Sequence, residues 1–233
     1  MDRYAQKRII RKLDLELFVA SLQPQPNPQV HLEQYTTPED IVANLLYIAA
    51  YTRDDILGRS VLDLGCGTGR LGLGAAFLGA AEVVGVDIDP VAIKVAQRNT
   101  QKTALSDCVH WVNGDIAAVQ GRFDTVVQNP PFGVQRRCAD QAFLIKALEV
   151  AHRVYSIHNH PQVDASLLRL LKASGGVIQV LPSPFLVGFI TKCGGGVTAV
   201  YSMLMTIPKM FTFHQKLKHT FVIDLYIIEK QTM

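Results

Sequence analysis

Hydrophobic and polar positions follow two rhythms along this chain. From residue 3 to about residue 21, Ile9, Leu13, Leu17 and the run Val19 to Leu22 recur among charges at helical spacing, which predicts an amphipathic helix. Pro24, Pro26 and Pro28 end it. Thr37-Pro38-Glu39-Asp40 then reads as a second helix start, with a capping hydroxyl, a proline at the first helical position and two acids at the positive end of the dipole. That helix runs to about Tyr51. Beyond it, short β-branched runs at Ser60 to Leu64, Glu82 to Asp87, Val109 to Asn113, Phe123 to Gln128 and Val154 to His158 predict strands. Helical spacing fills the gaps, at roughly 70 to 79, 90 to 101 and 139 to 152.

Strand followed by helix, repeated, predicts an α/β fold: a doubly wound, Rossmann-like, mostly parallel sheet of seven strands with helices on both faces. Thr198 to Ile207 and Thr220 to Glu229 lack a long helical pattern between them and are expected to close the sheet as an antiparallel hairpin at one edge. The connection from 160 to 197 holds a helix candidate at 162 to 173, a short apolar run at Val177 to Leu181 and a second helix candidate from Ser183 to Gly194. Residues 1 to 233 are read as one domain with a basic leader and Pro-rich linker over 1 to 28.

Composition narrows the function classes. With 48% hydrophobic residues and 18% charged ones, the chain suits a soluble α/β domain. Its apolar runs break well before the roughly 20 residues that cross a bilayer, and the charged N-terminus lacks a signal core. An intracellular, cytoplasmic protein is expected, nuclear as well in a eukaryotic source, with no membrane contact. Cys66, Cys108, Cys138 and Cys193 are too scattered for a zinc or dithiol pair, so no metal is expected. The net charge of +3 is too small to identify a nucleic-acid partner. The cluster Arg3, Lys7, Arg8, Arg11 and Lys12 suits a solvated helix face or a phosphate contact.

The candidate chemistry begins at Val61-Leu62-Asp63-Leu64-Gly65-Cys66-Gly67-Thr68-Gly69, an acid and three alternating glycines between a strand and a helix. The glycines allow a sharp turn and let a ligand approach the backbone. Asp63 repels a pyrophosphate but attracts the cationic ammonium and sulfonium of S-adenosylmethionine, so that cofactor is expected instead of a dinucleotide. Asp87, at the end of the second strand, is the candidate ribose ligand. Asp89-Pro90 reads as a helix cap. Asp115 can accept from the adenine amino group, with Ile88 and Ile116 covering the ring, or can simply cap the next turn.

The fourth strand leads into Asn129-Pro130-Pro131-Phe132, a loop stiffened by two prolines and rich in acceptors. Methyl transfer to an exocyclic amine needs the nitrogen lone pair turned toward the donor. The Asn129 side-chain oxygen and the Pro130 carbonyl can accept the two amino hydrogens and favour that geometry, and Phe132 can stack on the base. The plain alternative is a stiff turn without a catalytic part.

These motifs resemble class I methyltransferases of the amino-group type. With Leu32-Glu33-Gln34-Tyr35-Thr36-Thr37, the loop 129 to 133 and Phe211-Thr212-Phe213-His214-Gln215-Lys216, the chain resembles the methyltransferase-like protein 5 family. That family modifies a single adenine of small-subunit ribosomal RNA at N6. The resemblance implies that Gln34 and Thr37 close over the cofactor, that Gly65, Thr68 and Arg70 line its methionine side, and that Asp87, Asp115 and Ile116 hold its adenosine. It also implies a small zinc-binding activator, the Trm112-like protein, added at a sheet edge. The segment from His160 to about Pro182 looks longer than the family's usual connection. Other readings stay open: a protein glutamine methyltransferase, a guanine N2 or DNA adenine methyltransferase, or a scaffold without turnover. Lys209, Lys216 and Lys218 can flank an RNA groove or be ordinary solvated residues.

Overall fold

In the computed structural model of the protein, the described residues are 9–26, 28–133, 138–208 and 218–231. Most of the basic leader cluster, the 211 to 216 motif, Lys209 and His214 therefore lie outside them.

Eight strands form one sheet in the order β3-β2-β1-β4-β5-β8-β7-β6. The strands β1 (Ser60–Leu64), β2 (Glu82–Asp87), β3 (Val109–Asn113), β4 (Phe123–Gln128) and β5 (Ala151–Asn159) are parallel. Chain order reverses direction between β1 and β4, the place where such sheets bind ligands. Two helices lead into this sheet, α1 (Lys12–Ala20) and α2 (Glu39–Tyr47), and a π turn at Ile48–Thr52 extends α2 toward the expected end. The other helices are α3 (Arg70–Phe77), α4 (Pro90–Gln101), α5 (Ala139–Val150), α6 (Ala165–Ala173) and α7 (Pro184–Lys192).

The expected edge hairpin sits elsewhere. β7 (Gly195–Pro208) and β8 (Lys218–Lys230) pair antiparallel, but β8 is inserted between β5 and β7. The edge is the eighth strand, β6 (Val177–Gln179), formed by the apolar run of the 160 to 197 connection and paired antiparallel with β7. The sheet thus has one strand more than expected. Three residues carry too little periodicity to be read as a strand before the partner is known.

Two cores flank the sheet. One packs α1, α2 and α3 on Val61, Val127, Tyr155, Met203 and Leu225; the other packs α5 and α7 on Leu62, Val126, Val154, Val200 and Tyr226. Successive strand residues point to opposite faces, which is why neighbours such as Val126 and Val127 enter different cores. Gly85 is required by this packing, because a Cβ there would lie 2.1 Å from the Trp111 ring.

Candidate active site

β1 ends in the glycine turn, and its tight geometry follows from backbone demands. Gly65, Gly67 and Gly69 all have positive φ, at 72°, 53° and 81°, which side-chain-bearing residues rarely adopt. At Gly65 a Cβ would press on Phe143, and at Gly69 on Trp111. At Gly67 it would meet nothing within 4 Å, and Gly67 lines the main cavity. The turn therefore opens a cradle at its middle glycine.

The cavity measures about 650 Å3, within the range of small-molecule sites. Gln34, Thr37, Asp63, Gly65, Gly67, Thr68, Arg70, Asp87, Ile88, Asp115, Ile116, Asn129 and Pro131 all line it. Of the residues read as site candidates, Pro130 and Phe132 do not. Pro130 is buried, and the Phe132 ring lies 5.6 Å from that of Tyr35 and 6.0 Å, edge-on, from that of Phe221.

Asp63 is fully buried and its Oδ2 accepts from the Gly72 backbone N–H at 2.7 Å. Its other oxygen has no partner. Burial, reinforced by nearby Asp87 and only partly offset by the Gly72 bond, lifts this carboxyl to about 7. The Asp87 oxygens accept from the backbone N–H groups of Gly67 (2.7 Å) and Asp89 (2.9 Å), and burial raises its pKa as well. An ionised carboxylate offers about four acceptor positions, so Asp87 keeps capacity for a ligand. Asp115 caps the short 3-10 turn Ile116–Ala118 through an oxygen that accepts from the Ala117 N–H, leaving the other available. Asp89 is the helix cap expected of it, accepting from the Val91 N–H.

The N-terminal strap is tied across this cavity. The amides of Gln25 and Gln34 both donate to Asp89 Oδ2 at 2.8 Å. Arg70 donates to the carbonyls of Thr37 and Leu22 and pairs with Glu39 at 3.5 Å, while its buried Nε has no partner. Gln34 and Arg70 thus act as clamps on the strap as well as lining residues. Gln25, within the Pro-rich linker, carried no sequence signal for this role.

Asn129 is oriented from both sides. Its Oδ1 accepts from the Tyr35 hydroxyl at 2.8 Å, and its Nδ2 donates to Thr37 Oγ1 at 2.9 Å. Burial raises the Tyr35 phenol well above its ordinary pKa, so the hydroxyl keeps its proton and donates. One lone pair of Asn129 Oδ1 remains, and Asn129 lines the same cavity as the acids. Tyr35 stood in a motif quoted from the sequence, yet only the fold gives it this partner.

The donor set fits S-adenosylmethionine. An unpartnered buried carboxylate oxygen on Asp63 suits the ammonium, the free Nε of Arg70 suits a carboxylate, and the open cradle at Gly67 admits a bulky ligand. The acids of β2 and of the β3 exit suit a nucleoside. Among the described residues, no cluster of His, Cys, Asp and Glu could hold a metal, and no helix is long and apolar enough to cross a membrane.

Comparison with known proteins places the chain among methyltransferases. The Methyltransferase small domain model matches residues 39–154. Protein MJ0284 of Methanocaldococcus jannaschii, itself uncharacterized, is 35% identical over 95% of both chains. The rRNA N(6)-adenosine-methyltransferase METTL5 of Danio rerio is 37% identical over 62% of this chain and 72% of its own length. The crystal structure of the candidate RNA methyltransferase PH1948 from Pyrococcus horikoshii superposes with a TM-score of 0.80 at 35% identity, covering 97% of this chain and 100% of that one.

Proposed function

This chain belongs to the METTL5 family of methyltransferases, and from that premise we propose that it methylates the N6 amino group of an adenine in RNA, with ribosomal RNA as the substrate. One observation carries the reading: Asn129, at the tip of β4, shares a cavity with Asp63, Asp87 and Asp115 and has an acceptor lone pair to spare.

When bound, S-adenosylmethionine supplies an electrophilic methyl group on its sulfonium. Asp63 holds the ammonium and Arg70 the carboxylate of the methionine portion. Asp87 accepts from the ribose hydroxyls; Asp115, Ile88 and Ile116 hold the adenine. Asn129 Oδ1, which lines the cavity where the Pro130 expected beside it does not, accepts a hydrogen of the target amine and turns its lone pair toward the cofactor side. Tyr35 and Thr37 hold the Asn129 amide so that its oxygen, not its nitrogen, faces the amine. Positive charge developing on that amine is stabilised by the same oxygen, and the proton passes to solvent afterwards. Phe132, expected to stack on the base, packs instead between Tyr35 and Phe221 outside the cavity lining.

A Trm112-like zinc-binding activator fits the same proposal. The sheet offers open edges at β3 and β6, where a partner can add a strand.

The test is incubation with labelled S-adenosylmethionine, with and without such an activator, and separation of RNA, DNA and protein fractions. Label in RNA and N6-methyladenosine by nucleoside mass spectrometry is the expected result. Label in protein, as a methylated glutamine, or at guanine N2 would reject the substrate assignment.

A further inference from the structure

The β7–β8 hairpin outruns the sheet it belongs to. β5 pairs with β8 only as far as Asn159 opposite Ile223, while β7 and β8 stay paired to Pro208 opposite Lys218. Residues 218–221 and their partners 205–208 therefore overhang the end of the sheet where β4 delivers Asn129. At roughly 3.4 Å per residue the overhang is about 14 Å.

One face of the overhang carries two aromatic rings, His219 and Phe221, opposite Ile207 and Met205. His219 and Phe221 continue the row that Ile223 and Leu225 begin, since alternate strand residues share a face. Ile223 and Leu225 are fully buried in the core, Phe221 is half-buried and His219 is exposed. The rings connect to the site without a gap. Tyr35 lies 5.6 Å from Phe132, Phe132 lies 6.0 Å from Phe221, and His219 stacks on Phe221 at 5.3 Å with an interplanar angle of 29°. The row starts at the residue that orients Asn129 and ends in solvent beside the exposed Lys218. An exposed imidazole stacked on a half-exposed phenyl ring adds little to the core, but both present π surface on a row of rings that begins at Tyr35, a residue of the cavity lining.

Resting on the RNA reading above, we propose that His219 and Phe221 form a stacking platform for an unpaired nucleotide adjoining the target adenine. Stacking on aromatic rings accepts any base, because every base has a π face. The target base enters the cavity beside Asn129 while its neighbour rests on the hairpin. Single-stranded RNA is the favoured form, since paired bases would hide the faces that stack.

The test measures binding of a fluorescein-labelled single-stranded RNA of ~10 nucleotides with one central adenine, a length within the range one such groove tracks. His219→Ala and Phe221→Leu are each expected to weaken binding about five- to tenfold, in the lower range of a lost base stack, and to raise KM for RNA in parallel. Cofactor affinity by calorimetry and the melting temperature of His219→Ala should not move, because that side chain is exposed. His219→Tyr should restore binding. A duplex of the same sequence should compete poorly.

Equal RNA affinity in both variants, with RNA methylation proceeding, would overturn the platform and leave the RNA reading intact. Loss in His219→Ala without rescue by His219→Tyr, or equal competition by duplex, would also overturn it, by pointing to a contact other than stacking. If the wild-type protein neither binds nor methylates RNA and labels protein or DNA instead, both proposals fall.

Discussion

The cofactor side of the cavity and its substrate side are assembled over different distances in the chain. Asp63, Gly65, Gly67, Thr68 and Arg70 lie in one turn, and Asp87 and Asp115 stand at or just beyond the ends of the next two strands. On the substrate side, Tyr35 reaches Asn129 across 94 positions and Thr37 does so across 92. The first side is held by backbone geometry at positive-φ glycines and by N–H groups aimed at carboxylates. The second is held by side chains from the strap, the β4 loop and the hairpin. A local site tolerates changes elsewhere in the chain, whereas a composite one depends on every segment that builds it.

Substitutions on each side should separate these two kinds of construction. The largest effect is expected at Asn129→Ala, which removes an acceptor used as charge develops on the amine. Turnover should fall about 100- to 1000-fold, as for other preorganised hydrogen bonds to a transition state, while cofactor affinity by calorimetry stays near the wild-type value. Equal loss of cofactor binding would mean that the two sides are not separable.

Next in size is Asp87→Ala. It removes acceptors for the ribose and frees the N–H groups of Gly67 and Asp89. Loss of charge-assisted hydrogen bonds of about 1.5–3 kcal/mol corresponds to a cofactor dissociation constant raised roughly 10- to 150-fold. An unchanged constant would remove Asp87 from the ribose site.

A smaller, graded effect is expected from pH. The Asp63 carboxyl sits at about 7 in the ligand-free protein, so below that pH it is protonated and cannot attract a cation. Binding S-adenosylmethionine favours the ionised form. Affinity should therefore fall as pH drops through about 7, approaching tenfold per unit, and binding there should release a proton. Calorimetry in buffers of different ionisation enthalpy measures that release, and Asp63→Asn should abolish it. Flat affinity from pH 5.5 to 8 would place the ammonium elsewhere.

The mildest change is Tyr35→Phe, which keeps the ring against Phe132 and deletes the hydroxyl bonded to Asn129. A lost neutral hydrogen bond of about 0.5–1.5 kcal/mol predicts a roughly 2- to 12-fold fall in turnover. Since Thr37 still holds the amide nitrogen, orientation should be blurred and not lost. A fall as deep as that of Asn129→Ala would make Tyr35 a full partner in the reaction.

Much of this architecture was legible before any coordinates. The strands at Ser60–Leu64, Glu82–Asp87, Val109–Asn113 and Phe123–Gln128 and the helix Pro90–Gln101 occupy the expected residues. Buried parallel strands are short apolar runs punctuated by glycine, proline or acid, and such punctuation is local. The cap at Asp89 and the convergence of the lining acids on one cavity followed from the same pattern. The position of the hairpin did not. Two strands with a turn between them announce their own pairing but say nothing about which strand lies on their outer flanks, and β6 is too short to declare itself.

By itself, then, the order of residues determined the glycine turn, the three acid-tipped strand exits and the proline-stiffened loop, because each depends on φ angles and charges of neighbours in the chain. Only the tertiary structure decided that Tyr35 and Thr37 would grip Asn129, that Phe132 would pack between Tyr35 and Phe221 outside the cavity lining, and that the hairpin would overhang the end of the sheet. Those contacts arise from packing distant segments into a common core, a choice made by total buried surface and shape and written at no single place in the sequence.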